Sequence, residues 1–164
     1  MTSNEKWERF QRFLSDFASR PELEAMKKNP QHKGNTSFAH CVAVADMSYK
    51  MAEMMGLEVD MESLVHGAMM HDFYLYDTKT MPYSDYEHSL VHPKKALENA
   101  EKVLPLNDRE KNIILSHMWP IPGTPIPRYP EAWLVCLADK ICAWQEMYGS
   151  KRQRPEQEDR GQGG

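Results

Sequence analysis

Four histidines and two aspartates could do chemistry in this chain: His40, His71, Asp72, His92, His117 and Asp139. Imidazole and carboxylate are the ligands expected for divalent iron, manganese, cobalt, nickel or zinc. The six recur at intervals of 20 to 31 residues around the adjacent pair His71-Asp72. Asp139 is the most informative of them. It stands in Trp133-Leu-Val-Cys-Leu-Ala-Asp139-Lys-Ile-Cys-Ala-Trp144. At helical spacing it shares a face with Ala132, Val135, Cys136, Cys142 and Ala143. A carboxylate on an apolar face costs several kcal/mol unless a metal or a cationic partner compensates it.

Each residue also has a plainer reading. Asp139 alone fits a buried ion pair with Lys or Arg. His40 and His117 alone fit satisfied core histidines, and His92 alone fits a helix cap. Together they fall on or near apolar helical faces, several of them near helix ends. Six ligands, one of them a carboxylate able to bridge, suit two metals about 3.5–4 Å apart. One ion would take His40, His71, Asp72 and Asp139. The other would take His92 and His117 and share Asp72.

The elements that must position these residues are helices. Thr2 to Glu5 reads as a capping box, and Trp7, Phe10, Phe13, Leu14 and Phe17 follow at helical spacing. Pro21 ends that helix, and Glu22 to Lys28 forms a short second one. Residues 29–35 read as a polar loop. The next helix starts at Asn35, Thr36 or Ser37, places His40 on its inner face and stops at Gly56. A further helix after Asp60 carries Leu64, Val65, Ala68, His71 and Asp72 inward. Residues 74–91 read as a long functional loop. His92-Pro93 is expected to open a helix, with His92 as its cap and the end near Leu104. Asn107 and Glu110 form another capping box, for a helix ending near His117 or Met118. Pro120, Pro122, Pro125, Pro127 and Pro130 dictate a stiff extended loop. A last helix spans about 131–148. No strand pattern competes, so the expected fold is all-α, with six to seven helices. One domain over 1–149 is expected, followed by a charged, glycine-rich tail over 150–164 that reads as disordered.

Composition narrows the function. The 164 residues carry a formal charge of -4, with 27% charged residues, which gives no reason to expect a nucleic-acid polymer as partner. No apolar run reaches the roughly 18 residues of a membrane span. The N-terminus lacks a signal pattern. Three cysteines form no CxxC, and Cys136 and Cys142 point apart on one helix, so free thiols in a reducing cytoplasm are expected. The twelve Met residues read as filling for irregular core space.

The order His40, His71-Asp72, Asp139 resembles the HD-domain superfamily of metal-dependent phosphohydrolases, over roughly residues 36–147. His92 and His117 resemble the added ligands of its two-metal branch. The segments His71-Asp-Phe-Tyr-Leu-Tyr-Asp77 and His117-Met-Trp-Pro120 are similar to those of small bacterial HD proteins. The chain departs from the pattern at one position. Many members place a lysine three residues after the His-Asp pair, and here that residue is Leu75, with Asp77 and Lys79 close but out of register.

The resemblance implies a compact helical bundle and two divalent ions, with Fe or Mn favoured and Zn, Co or Ni as options. It implies hydrolysis of a small phosphoester or nucleotide by a metal-activated hydroxide, with Asp72 and Asp139 holding the metals and open to the water's proton. Lys140, Lys94 and Lys95 are the expected phosphate contacts. Arg128, Trp119 and His88 are further candidates at a substrate pocket, whereas His32 and His66 are expected to lie away from the metals. A homodimer is an option. Two other readings share the ligand set: a mixed-valence di-iron oxygenase, and a non-catalytic module stabilised by metal.

Overall fold

The computed structural model describes residues 2–30 and 34–149. The expectations for His32 and for the tail over 150–164 lie outside these residues. Six α-helices and one 3-10 helix make up the fold, and among the described residues there is no strand. The helices are α1 (Ser3–Ala18), α2 (Ser37–Met55), α3 (Met61–Met70), α4 (Asp85–Ala100), α5 (Asp108–Ser116) and α6 (Pro130–Gly149). The 3-10 helix, Pro21–Lys27, occupies the place where a short α-helix was expected.

Local chemistry sets most boundaries. Thr2, Thr36, Asp60, Ser84 and Asn107 each accept a backbone N–H from the third residue on, which satisfies one of a helix's unbonded N-terminal donors. Gly56 ends α2 with φ 67°, a left-handed conformation that costs glycine little. Helices α2 and α6 pack along each other, and α3 and α5 close the same core. Leu64, Met69, Met70, Ile113, Ile114 and Leu134 are completely or almost completely buried there. Met54 and Met55 are exposed, so core filling accounts for only some of the methionines.

The sequence reading is corrected at two places. Helix α4 begins at Asp85, not at Pro93, and His92 lies inside it rather than capping it. Ser84 and Glu87 form a complete capping box, and Ser89, His92, Pro93, Ala96 and Ala100 are buried along the helix. This cap and this buried face carry the helix through a residue that lacks an N–H donor. The loop before α4 is shorter as a result. The proline-rich stretch also differs from a simple extended loop. Its first half folds into successive turns, with Trp119 N–H donating to Ser116 O, Ile121 N–H to Met118 O and Thr124 N–H to Ile121 O. Only residues 125–128 of it have neither turn, bend nor helix.

Candidate metal centre

Five helices deliver the six residues to one place. His40 lies in the first turn of α2, His92 in the interior of α4 and Asp139 in the middle of α6. His71 and His117 are the residues just past the ends of α3 and α5. Asp72 follows in the turn after α3. All four histidines and Asp72 are buried. Their ligand atoms fall into three overlapping groups, each within 4.8 Å: His40, His71 and Asp72; His71, His117 and Asp139; Asp72, His92 and His117.

Asp72 joins the two halves. Its Oδ2 lies 3.6 Å from His71 Nε2 and 3.9 Å from His40 Nε2. Its Oδ1 lies 3.4 Å from His92 Nε2 and 3.6 Å from His117 Nε2. Asp139 Oδ1 lies 2.9 Å from His40 Nε2 and 3.5 Å from His71 Nε2. Buried imidazole and carboxylate atoms grouped this closely could hold metal ions.

Each imidazole is held by its outer nitrogen. His71 donates Nδ1–H to Ala68 O at 2.7 Å, and His117 donates to Ile114 O at 2.7 Å. His92 donates to His88 O at 2.9 Å. A carbonyl can only accept, so Nδ1 of each ring carries a proton and Nε2 is the nitrogen turned to the centre. Such outer bonds fix the orientation of metal-ligating histidines. His71 Nε2 is buried with no hydrogen-bond partner. A buried imidazole nitrogen aimed at two carboxylates is a site that a divalent cation would complete, so the donor set fits a metal.

His40 differs. Its Nδ1 meets Glu146 Oε1 at 3.0 Å while its Nε2 meets Asp139. Carboxylates accept on both sides, so the metal-free ring carries two protons. Burial opposes that charge, but the bonds to Asp139 and Glu146 and the charge of Asp72 prevail, and the pKa rises from 6.5 to about 10. Burial pushes the Asp139 carboxyl up, yet the bond from His40 and the His71 imidazole beside it hold it well below the ordinary range. Asp72 is likewise held low against burial, chiefly by the His71 charge and by the His117 and His92 imidazoles beside it. Burial lowers the pKa of His117 and leaves it neutral at pH 7.

A cavity of about 920 Å³ opens onto Asp72, His92, His117 and Asp139. Lys140 and His88 line it, as the sequence reading placed them. The Lys140 ammonium is already committed, donating to His117 O at 2.9 Å and to Cys136 O at 3.3 Å. His88 Nδ1 lies 3.0 Å from the Tyr76 hydroxyl. The other candidates stand outside the cavity. Lys94 and Lys95 are exposed on α4, and Lys95 pairs with Glu98 at 2.7 Å. Trp119 packs edge-on against Trp133, and Arg128 is exposed, with its backbone N–H on Asn112. His66 bonds to Glu110 at 2.8 Å and takes no part in the three ligand groups.

Sequence reading missed Glu146 and Lys79. Glu146 lies two helical turns after Asp139, so helical spacing alone could have placed it on the same face. Lys79 lines the cavity from a turn in which its backbone N–H bonds Asp77 Oδ1 at 2.9 Å. Leu75, upstream of that turn, has φ 57° and a side chain partly open to solvent. Among the described residues, no helix is long and apolar enough to cross a membrane.

A family model described as HD domain matches residues 37–144. No curated protein and no solved structure matches the chain.

Proposed function

The chain belongs to the HD-domain family, a superfamily of metal-dependent phosphohydrolases, and from that premise we propose that it hydrolyses a small phosphoester or nucleotide. One observation carries the reading: four imidazoles present Nε2 to a centre that Asp72 and Asp139 share. His40, His71, Asp72 and Asp139 would hold one divalent ion. His92 and His117 would hold a second, with Asp72 common to both. Iron and manganese are favoured over zinc, cobalt and nickel. Bound there, the ions supply Lewis-acid charge on phosphoryl oxygens and a water acidic enough to give hydroxide near neutral pH.

The protein's own groups supply the rest. Asp139 and Asp72 are the acceptors closest to the metal positions and are the candidates for the water's proton. Lys79 is the cavity-lining lysine best suited to a phosphate, because Lys140 already serves two backbone carbonyls. It would stand in for the lysine that Leu75 replaces. Tyr74, Tyr83, Met81, Met118 and Ile121 give the cavity an apolar, partly aromatic wall suited to a nucleobase or similar body. The volume matches that of a small-molecule site. Three free cysteines suit a reducing, cytoplasmic setting.

The test is elemental analysis of the purified protein, followed by a panel of phosphoesters and nucleotides with Mn²⁺ and with Fe²⁺ under air and under nitrogen. Phosphate release that disappears in His71→Ala and Asp139→Ala is expected. Oxygen uptake by the iron form without phosphate release from any ester would overturn the hydrolase in favour of an oxygenase. A metal-loaded protein inert in both assays would leave a stabilised binding module.

A further inference from the structure

The outer face of α6 is almost devoid of charge. Trp133, Leu137, Ile141, Trp144 and Tyr148 are 38%, 45%, 38%, 64% and 46% exposed. Successive spacings of four, four, three and four residues keep them on one stripe of the helix. Lys140 is the only charged residue exposed on α6. Its ammonium is turned to the His117 carbonyl. The opposite face, with Ala132, Leu134, Val135, Ala138 and Cys142, is buried in the core. The helix is therefore apolar on both sides, which a solvated surface helix is not.

From this pattern we infer that the stripe is the interface of a two-fold dimer in which α6 packs antiparallel against α6 of a second copy. The spacing supports that occupant specifically. Residues 133 and 148, and residues 137 and 144, are placed symmetrically about the position of Lys140 and Ile141. A two-fold axis there sets Trp133 against the partner's Tyr148 and Leu137 against the partner's Trp144. A self-complementary patch of this kind is what a closed two-fold interface requires. Area agrees. At roughly 200 Å² for a full side chain, the exposed fractions leave roughly 500 Å² per protomer, or roughly 1,000 Å² for two copies, the size a biological interface must reach. Three of the five residues, Trp133, Trp144 and Tyr148, are aromatic, and aromatic side chains are the usual anchors of interfaces.

Sedimentation velocity on the full chain, from 1 to 200 µM, tests the inference. A species of twice 19.1 kDa is expected at the upper concentrations. Leu137→Glu and Trp144→Glu should each sediment as monomers while keeping wild-type helicity by circular dichroism. Ile141→Cys should crosslink between protomers with a short bis-maleimide, and Met54→Cys, exposed on α2, should not. A wild-type monomer at 200 µM would overturn the proposal; if that monomer also co-sedimented with phosphatidylcholine vesicles, the stripe would belong to a bilayer. A dimer that survives both glutamate substitutions, or that fails to crosslink through position 141, would place the interface on another face.

Discussion

The Nε2 atoms of His92 and His117 stand 2.8 Å apart. Each ring has already committed its Nδ1–H to a backbone carbonyl, His88 O for one and Ile114 O for the other. With both outer nitrogens tied to carbonyls, the two Nε2 atoms face each other at hydrogen-bonding distance, and a cation beside them would be held by both rings. Metal removal should therefore destabilise the protein. A divalent ion at a hundred times its dissociation constant adds about 2.7 kcal/mol to the stability of a folded state that alone binds it. For a chain of this size that corresponds to a rise in Tm of roughly 5–10 °C. Calorimetry of chelator-treated protein, with and without Mn²⁺ or Fe²⁺, measures it. In His92→Ala the rise should shrink, because one of the nitrogens that would hold the ion is gone.

Glu146 should set metal affinity without being a ligand. Its Oε1 takes the Nδ1–H of His40 at 3.0 Å and the side-chain amide of Asn35 at 2.9 Å. A carboxylate behind a ligating imidazole orients the ring and raises its basicity, and losing one typically costs 10–100-fold in affinity. Glu146→Ala should weaken binding by about that factor. Glu146→Gln, which keeps an acceptor for Nδ1–H, should weaken it less. Competition against a chromogenic chelator reads both variants without any substrate. Equal affinity in Glu146→Ala and wild type would remove Glu146 from the centre.

Residues that were costly where they stood were the ones legible in advance. Asp139 on an apolar helical face demanded a partner, and His40 and His71 share that demand. The capping residues Thr2 and Asn107 fixed two helix starts because unbonded N–H groups must be satisfied. Helix α4 was missed because Pro93 reads as a first-turn proline, while the Ser84 and Glu87 box that starts the helix lies inside an apparently polar loop. The cavity was only partly legible. Lys79 lies in an exposed turn where a charge costs nothing, so only its tertiary position distinguishes it, whereas Glu146 was within reach of helical spacing from Asp139. Lys94, Lys95 and Arg128 looked equivalent to Lys79 in sequence, and the fold turns them away from the cavity.

Helix α3 approaches α5 through Gly67. A Cβ built there would lie 2.6 Å from both Ile113 Cδ1 and Ile113 Cγ2. Ile113 is completely buried, so its branched side chain has little room to move. Gly67→Ala should cost about 1–3 kcal/mol by overpacking, despite the better helix propensity of alanine. The same contact lies under His71 and His117, which end these two helices. Gly67→Ala should therefore lower metal affinity as well as Tm, whereas Gly67→Ala combined with Ile113→Val, which removes a methyl from the contact, should recover part of both. Thermal melts and the chelator competition on the two variants check the coupling.

The cap of α4 gives the fold an acid-sensitive contact outside the ligand set. Glu87 accepts the Ser84 backbone N–H at 2.8 Å and the Ser84 hydroxyl at 2.7 Å. Those bonds, the backbone one first, hold the Glu87 carboxyl below its ordinary 4.5. A carboxyl depressed by folding binds fewer protons in the folded chain than in the unfolded one, so its contribution is complete above the unfolded pKa. It is then lost as pH falls through the lower, folded value. Glu87→Gln should accordingly melt below wild type at pH 7, keep that deficit as long as the pH stays above 4.5, and approach wild type at lower pH as Glu87 itself becomes protonated. Metal-free protein is the right sample, because protonation of the centre would otherwise release the ions over the same range. A Tm difference between Glu87→Gln and wild type that stays constant from pH 7 to 3 would show that the carboxylate of Glu87 does not hold the start of the helix that carries His92.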